Sequence, residues 1–113
     1  MYSVAVMVSN GKRSAKWYRE KLGFRVVESK GHWITVAPRG SKTVLHLCEA
    51  NKSWGTRLEP GNSGIAMVVD DLDRTYKQLS ARGVVFAKRP IDEGWGRYAA
   101  IKDPDGNKFW LYE

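Results

Sequence analysis

The chain has 113 residues, 42% hydrophobic and 12% aromatic, with 19 Lys and Arg against 12 Asp and Glu, a net charge of +7. That length sets one domain whose core needs neither a disulfide nor a structural metal, and the mixed charges and many aromatics exclude an acidic disordered chain. The apolar runs at 4–8 and 65–69 fall far short of the about 20 residues of a membrane span, and the single Cys48 excludes a disulfide framework or a Cys-rich zinc site within one chain.

Val4, Val6 and Val8 open a strand at 4–8. Asn10 is placed as an N-cap for a helix that runs to Leu22, with Ala15, Tyr18 and Leu22 on one face. Gly23 ends it in the left-handed conformation. Strands are expected at 24–28, 33–37 and 43–49, the last two joined by a turn through Pro38, Arg39, Gly40 and Ser41.

The second half repeats this order. A strand at 65–69 leads to Asp70 and Asp71, acidic N-caps that also suit a helix N-terminus. Leu72, Tyr76 and Leu79 make a helical stripe that Gly83 closes. A strand at 84–88 follows, then a hairpin of 97–101 and 108–112 across Asp103, Pro104, Asp105, Gly106 and Asn107. Val4 thus matches Ile65, Gly23 matches Gly83, and Trp33 matches Tyr98.

The pattern is a single α+β domain over 1–113, built from two βαβββ modules: module one at 1–49, an aperiodic linker at 50–63 with Gly55, Pro60 and Gly61, and module two at 64–113. Each half is too small to bury its sheet alone, so the two halves, or two copies of the chain, are expected to pair.

Strand alternation sorts the side chains. Val4, Val6, Val8, Ile34, Val36, Leu45, Leu47, Phe109 and Leu111 face the helices. The other face then carries Ser3, Ala5, Met7, Trp33, Thr35, Val44, His46, Cys48, Gly64, Ala66, Val68, Trp110 and Tyr112. Small residues beside large aromatics leave room for a small organic ligand, although the same rings could fill that space as core. Trp95 and Tyr98, in the segment before the last hairpin, could add stacking surface, and Arg97 could grip a carboxylate or phosphate at the cavity mouth. His46 and Cys48, two apart on one strand, could form a thiolate–imidazole pair, or be a hydrogen-bonded histidine beside a small buried hydrophobe. The cations are scattered, with the densest cluster at 12–21, and no aromatic-basic RNA motif accompanies them, which disfavours nucleic acid and suits neutral or anionic small ligands.

Three segments resemble the vicinal oxygen chelate superfamily, the glyoxalase, bleomycin-resistance and extradiol dioxygenase group. They are Val8-Ser9-Asn10 with Ala15-Lys16-Trp17-Tyr18-Arg19-Glu20-Lys21-Leu22-Gly23-Phe24, then Val68-Val69-Asp70-Asp71-Leu72, and Asp103-Pro104-Asp105-Gly106-Asn107 before the last strand. The resemblance implies the glyoxalase/bleomycin resistance fold, cupped mixed sheets, and a homodimer with two sites. It places the four metal-ligand positions of the metal-dependent members on Ser3, His46, Gly64 and Trp110. Only His46 among them binds a metal well. By alternation Glu49 and His32 lie off that face, and Glu113 faces the helix side.

The expectation is therefore a cytoplasmic, homodimeric protein without metal or other cofactor, closest in style to the metal-free bleomycin-resistance-type binders, holding a planar or anionic small molecule through Met7, Trp33, His46, Cys48, Trp95, Arg97, Tyr98, Trp110 and Tyr112. Bleomycin binders as a class are acidic, to match a cationic drug, whereas +7 favours an anionic or neutral ligand. The alternative is an enzyme: a lyase or dioxygenase-like protein with a non-standard metal site that includes His46, or metal-free chemistry through Cys48.

Overall fold

The computed structural model describes residues 2–51 and 55–113. The expected linker at 50–63 includes 52–54, which lie outside the described residues. The chain forms two compact units, 1–59 and 60–113, each a βαβββ unit of the α+β class. No helix is long and apolar enough to cross a membrane.

The first unit contains β1 (Tyr2–Val8), α1 (Gly11–Leu22), β2 (Arg25–Lys30), β3 (Trp33–Ala37) and β4 (Thr43–Glu49), with sheet order β1-β4-β3-β2. β1 runs parallel to β4 and the other neighbours are antiparallel. α1 starts where Asn10, in an extended conformation, accepts the Arg13 amide on its side chain at 3.0 Å. It stops at Gly23, whose φ of 73° is open to glycine, with the Phe24 amide returning to the Tyr18 carbonyl at 3.1 Å. Arg19 and Lys21 in its last turn suit the negative end of the helix dipole. Ala15 and Tyr18 press into the sheet face made by Val6, Val8, Ile34, Val36, Leu45 and Leu47, all buried. Val4, at the start of the same face, is 39% exposed. Val44, expected on the open face with His46 and Cys48, is buried.

The second unit contains β5 (Gly61–Val68), α2 (Leu72–Ala81), β6 (Val85–Asp92), β7 (Arg97–Lys102) and β8 (Asn107–Tyr112), in the order β5-β8-β7-β6. Asp71 caps α2 by accepting the Arg74 amide at 3.0 Å, and Gly83 (φ 88°) follows its end. Leu72 and Leu79 are buried with Val84, Ala99, Ile101, Phe109 and Leu111. Tyr76 meets Phe86 edge to face, with ring centroids 4.8 Å apart.

The two outer strands of this sheet differ from the sequence expectation. β5 begins at Gly61, inside the stretch expected as linker, because a register shift between Asn62 and Ile65 lets the chain pair with β8 on both sides of the irregularity. Gly64 in that kink has φ 75°, which glycine alone adopts freely. β6 extends to Asp92 although Pro90 interrupts it. It is an edge strand, so the missing N–H need not face a neighbour, and two register shifts accommodate the break.

Candidate functional site

The open face of the second sheet carries a run of three rings. Tyr98 of β7 stacks on Trp95 with centroids 5.0 Å apart and planes at 17°, and on Trp110 of β8 at 4.9 Å and 29°. Tyr98 is buried in the middle of the run, Trp110 is half-buried, and Trp95 is 66% exposed. The rings border a recess of about 380 Å³ lined by Gly64, Ala66, Trp95, Tyr98, Trp110 and Tyr112. Ala66 sits directly beside Trp110 in the parallel β5–β8 register. The small side chains on β5 are what leave the space open beside the indole. Among the described residues no charged side chain lines the recess.

Polar contacts fix the rings rather than point into the space. The Trp110 indole Nε1 donates to Asn62 Oδ1 at 2.8 Å, and the same oxygen accepts the Gly64 amide at 3.0 Å. The bulge in β5 therefore orients the Trp110 indole. The Lys88 Nζ donates to the Tyr98 hydroxyl at 2.8 Å, lies 5.2 Å from the ring centroid, and pairs with Glu93 at 3.3 Å. The hydrogen bond to Tyr98, then that to Glu93, holds the Lys88 ammonium above the ordinary lysine range.

The first unit repeats the ring pair at equivalent positions. Trp33 lies against His46, with centroids 4.0 Å apart and planes at 35°. Thr35 and His46 are register partners, as Ala100 and Trp110 are, so each pair runs diagonally from one strand to the next. The Trp33 indole donates to Glu28 at 3.3 Å. Thr35 is buried, and among the described residues its hydroxyl has no hydrogen-bond partner.

The other expected residues fall elsewhere. Arg97 does not join the rings. As the neighbour of Tyr98 it points to the opposite side of β7, where Nη2 and Nη1 meet the Asp73 carboxylate of α2 at 2.6 and 3.1 Å and Nη1 meets Glu113 at 3.4 Å. Its expected place at the cavity mouth is thus corrected by alternation itself: Arg97 and Tyr98 cannot both face the recess. Cys48 is a half-buried free thiol whose Sγ is 3.9 Å from the Glu49 carbonyl oxygen, and no hydrogen bond joins it to His46 among the described residues. Met7 lines a different recess with Gly55, Thr56, Arg57 and Glu59.

Three residues that shape the ring site were missed. Lys88 shares sequence parity with Phe86, which faces α2. The register shift after Phe86 turns Lys88 to the Tyr98 side, and no periodicity rule foresees that shift. Asn62 sat in the expected linker. Glu93 lies beyond the expected end of its strand. Pro90 near two glycines was the available signal that this edge is irregular.

The family's four metal positions do not fit a metal here. Ser3 offers a weak donor, Gly64 none, the Trp110 indole is committed as a donor to Asn62, and His46 is packed on Trp33. Among the described residues no three His, Cys, Asp or Glu side chains converge into a group that could hold an ion.

A model of the family described as Glyoxalase/Bleomycin resistance protein/Dioxygenase superfamily matches residues 2–111. The chain is 30% identical over 116 residues to the uncharacterized protein YetH of Bacillus subtilis strain 168, covering 98% of this chain and 95% of that protein. The crystal structure of a superfamily member from Sphaerobacter thermophilus DSM 20745 superposes with a TM-score of 0.87 at 34% identity, covering 100% of this chain and 95% of that one. TnmS3, an antibiotic binding protein from Streptomyces sp. CB03234, superposes with a TM-score of 0.81 at 30% identity, covering 99% and 93%. The duplicated βαβββ order, the ring-bearing sheet faces and these matches agree, and the chain belongs to the glyoxalase/bleomycin resistance protein/dioxygenase superfamily.

Proposed function

We propose that this protein is a metal-free binder of a planar, neutral or anionic small molecule seated against Trp95, Tyr98, Trp110 and Tyr112. The observation that carries the reading is the three-ring stack beside an open recess of about 380 Å³, a volume in the usual range for small-molecule sites. A planar ligand on such rings gains about 0.5–1.5 kcal/mol per aromatic contact beyond its area burial. Among the described residues no charged group lines the recess, and the Lys88 ammonium at the Tyr98 hydroxyl disfavours a cation on these rings. Similarity to TnmS3, an antibiotic binding protein, supports a small organic molecule as the ligand. The exposed apolar side chains Val68, Trp95 and Tyr112 support a homodimer, for which light scattering would give twice the 12.8 kDa chain mass.

Tryptophan fluorescence tests the binding. Neutral fused-ring aromatics such as 1-naphthol, and anionic ones such as 2-naphthoate, quench saturably, while a cationic ring of the same size binds more weakly. Absence of saturable quenching by any of them, in folded protein, overturns the reading. So does about one tightly held divalent ion per chain after purification without chelator.

A further inference from the structure

The net charge is not shared evenly. Residues 1–59 hold eleven Lys and Arg against four Glu, which is the whole +7, and residues 60–113 balance eight of each. The excess has a focus on the outer flank of α1. Lys12, Lys16 and Arg19 recur at i, i+4 and i+7, so they share one side of the helix over about 10 Å. They border a recess of about 350 Å³ with Ala15, Val26, Ser29 and Ile34. Its floor is apolar because α1 leaves the edge strand β2 partly uncovered, and Val26 is 37% exposed there.

Three of the four acids of this unit are occupied elsewhere, and the fourth, Glu20, follows Arg19 on α1 but does not line the recess. Glu28 accepts from Trp33, Glu49 binds the Gly11 amide and lies near His32, and Glu59 pairs with Arg57. Among the described residues, none of Lys12, Lys16 and Arg19 is drawn into an ion pair. Three unneutralised cations around one small recess repel one another, and a dianion placed between them relieves that repulsion. Lys supplies a point charge, Arg a planar fork for two oxygens, and Ser29 a hydroxyl donor, a set suited to phosphate oxygens. The apolar floor gives a place to the organic body that carries the phosphate. The recess, about 350 Å³ between one helix and one edge strand, has the size of a small phosphate ester rather than the length of a continuous nucleic-acid backbone.

We infer that the α1–β2 recess binds a small organic phosphate, a phosphate monoester with an apolar body, through Lys12, Lys16, Arg19 and Ser29. This site lies wholly within residues 1–59 and is independent of the ring site.

The test is a titration of the ¹⁵N-labelled full chain, followed by amide NMR, with phenyl phosphate, phenol, inorganic phosphate and a 12-base-pair DNA duplex. Phenyl phosphate is expected to move amides of 12–19 and 26–29 saturably. Phenol is expected to move them little, and inorganic phosphate to bind the same amides more weakly than the ester. The double variant K16E/R19E weakens phenyl phosphate about tenfold or more, while R39E/K42E, with the same change in net charge, changes it less than twofold. K16Q/R19Q keeps the test sound if charge reversal disturbs folding, and is expected to lose severalfold. Equal losses in the K16E/R19E and R39E/K42E chains, shifts scattered over the surface, no saturable shift with phenyl phosphate, or binding of the duplex alone would each overturn the assignment.

Discussion

Glu49, the last residue of β4, accepts the backbone N–H of Gly11 at 2.8 Å and so satisfies the first amide of α1. The second unit repeats the device, since Glu113 accepts the Leu72 amide at the start of α2 at 3.1 Å. A carboxylate at a helix N-terminus answers both an orphan donor and the positive end of the dipole. This is where the carboxylates that alternation kept off the ring-bearing face are used.

Glu49→Ala is expected to lower stability by about 1–2 kcal/mol, the lower end of what a hydrogen bond to a charged group contributes, because the Glu49 side chain is about a third exposed. Gly11→Ala is expected to destabilise as well. An added Cβ would stand 3.0 Å from Ile34 Cδ1 and 3.1 Å from Glu49 Oε1, so the capping carboxylate must move. Urea denaturation reads both. Unchanged midpoints would contradict the shared capping role.

In the β7–β8 turn, Asp103 is buried and its two oxygens take the Asp105 amide at 2.9 Å, the Asn107 amide at 2.8 Å and the Asn107 side-chain amide at 2.8 Å. Asp103→Ala strips partners from buried donors and is expected to cost about 2–3 kcal/mol, seen as a fall in the urea midpoint at unchanged slope. A loss below about 0.5 kcal/mol would mean that the turn holds without it.

The Asp73 carboxyl is held below its usual range, first by the hydrogen bond from Arg97. The folded value is lower than the unfolded one, so this contribution is present above the unfolded pKa of about 3.9 and is lost as pH falls through the folded value. Both side chains are well exposed, which keeps the effect small and salt-sensitive. NMR titration of the Asp73 carboxyl carbon should give a midpoint below about 3.9 that rises in Arg97→Gln. Because Arg97 is turned away from the rings, the same substitution should leave 1-naphthol affinity within twofold.

Trp95→Ala should separate binding from stability. The indole is 66% exposed, so its removal should change unfolding free energy by about 0.5 kcal/mol or less. If it stacks on the ligand, affinity should fall about two- to tenfold. Tyr98→Ala, at the buried centre of the stack, should cost about 3–4 kcal/mol of stability. Calorimetry and 1-naphthol titration of the two variants distinguish a wall of the site from the support behind it.

Much of the fold was readable because the signals are local. Asn10, Gly23, Asp71 and Gly83 mark helix ends by their own chemistry, and β3 and β4 begin and end where their apolar runs do. Alternation also placed Trp110, Tyr112, Gly64 and Ala66 on one face, where they line one recess. What sequence could not supply was register. The shifts in β5 and β6 depend on how each edge strand meets its neighbour, and they decide that Asn62 reaches Trp110 and Lys88 reaches Tyr98. Arg97 shows the opposite failure: strict alternation would have sent it to Asp73, and the attraction of a cation near a cavity overrode the rule.

The most direct measurement is the ¹H–¹⁵N spectrum of the five indole N–H groups during titration with 1-naphthol. A ligand on the Trp95–Tyr98–Trp110 stack should shift the Trp95 and Trp110 signals together and saturably, leaving those of Trp17 and Trp33 nearly still. Saturable binding that leaves both of those signals in place, or that moves all five alike, would contradict the ring site.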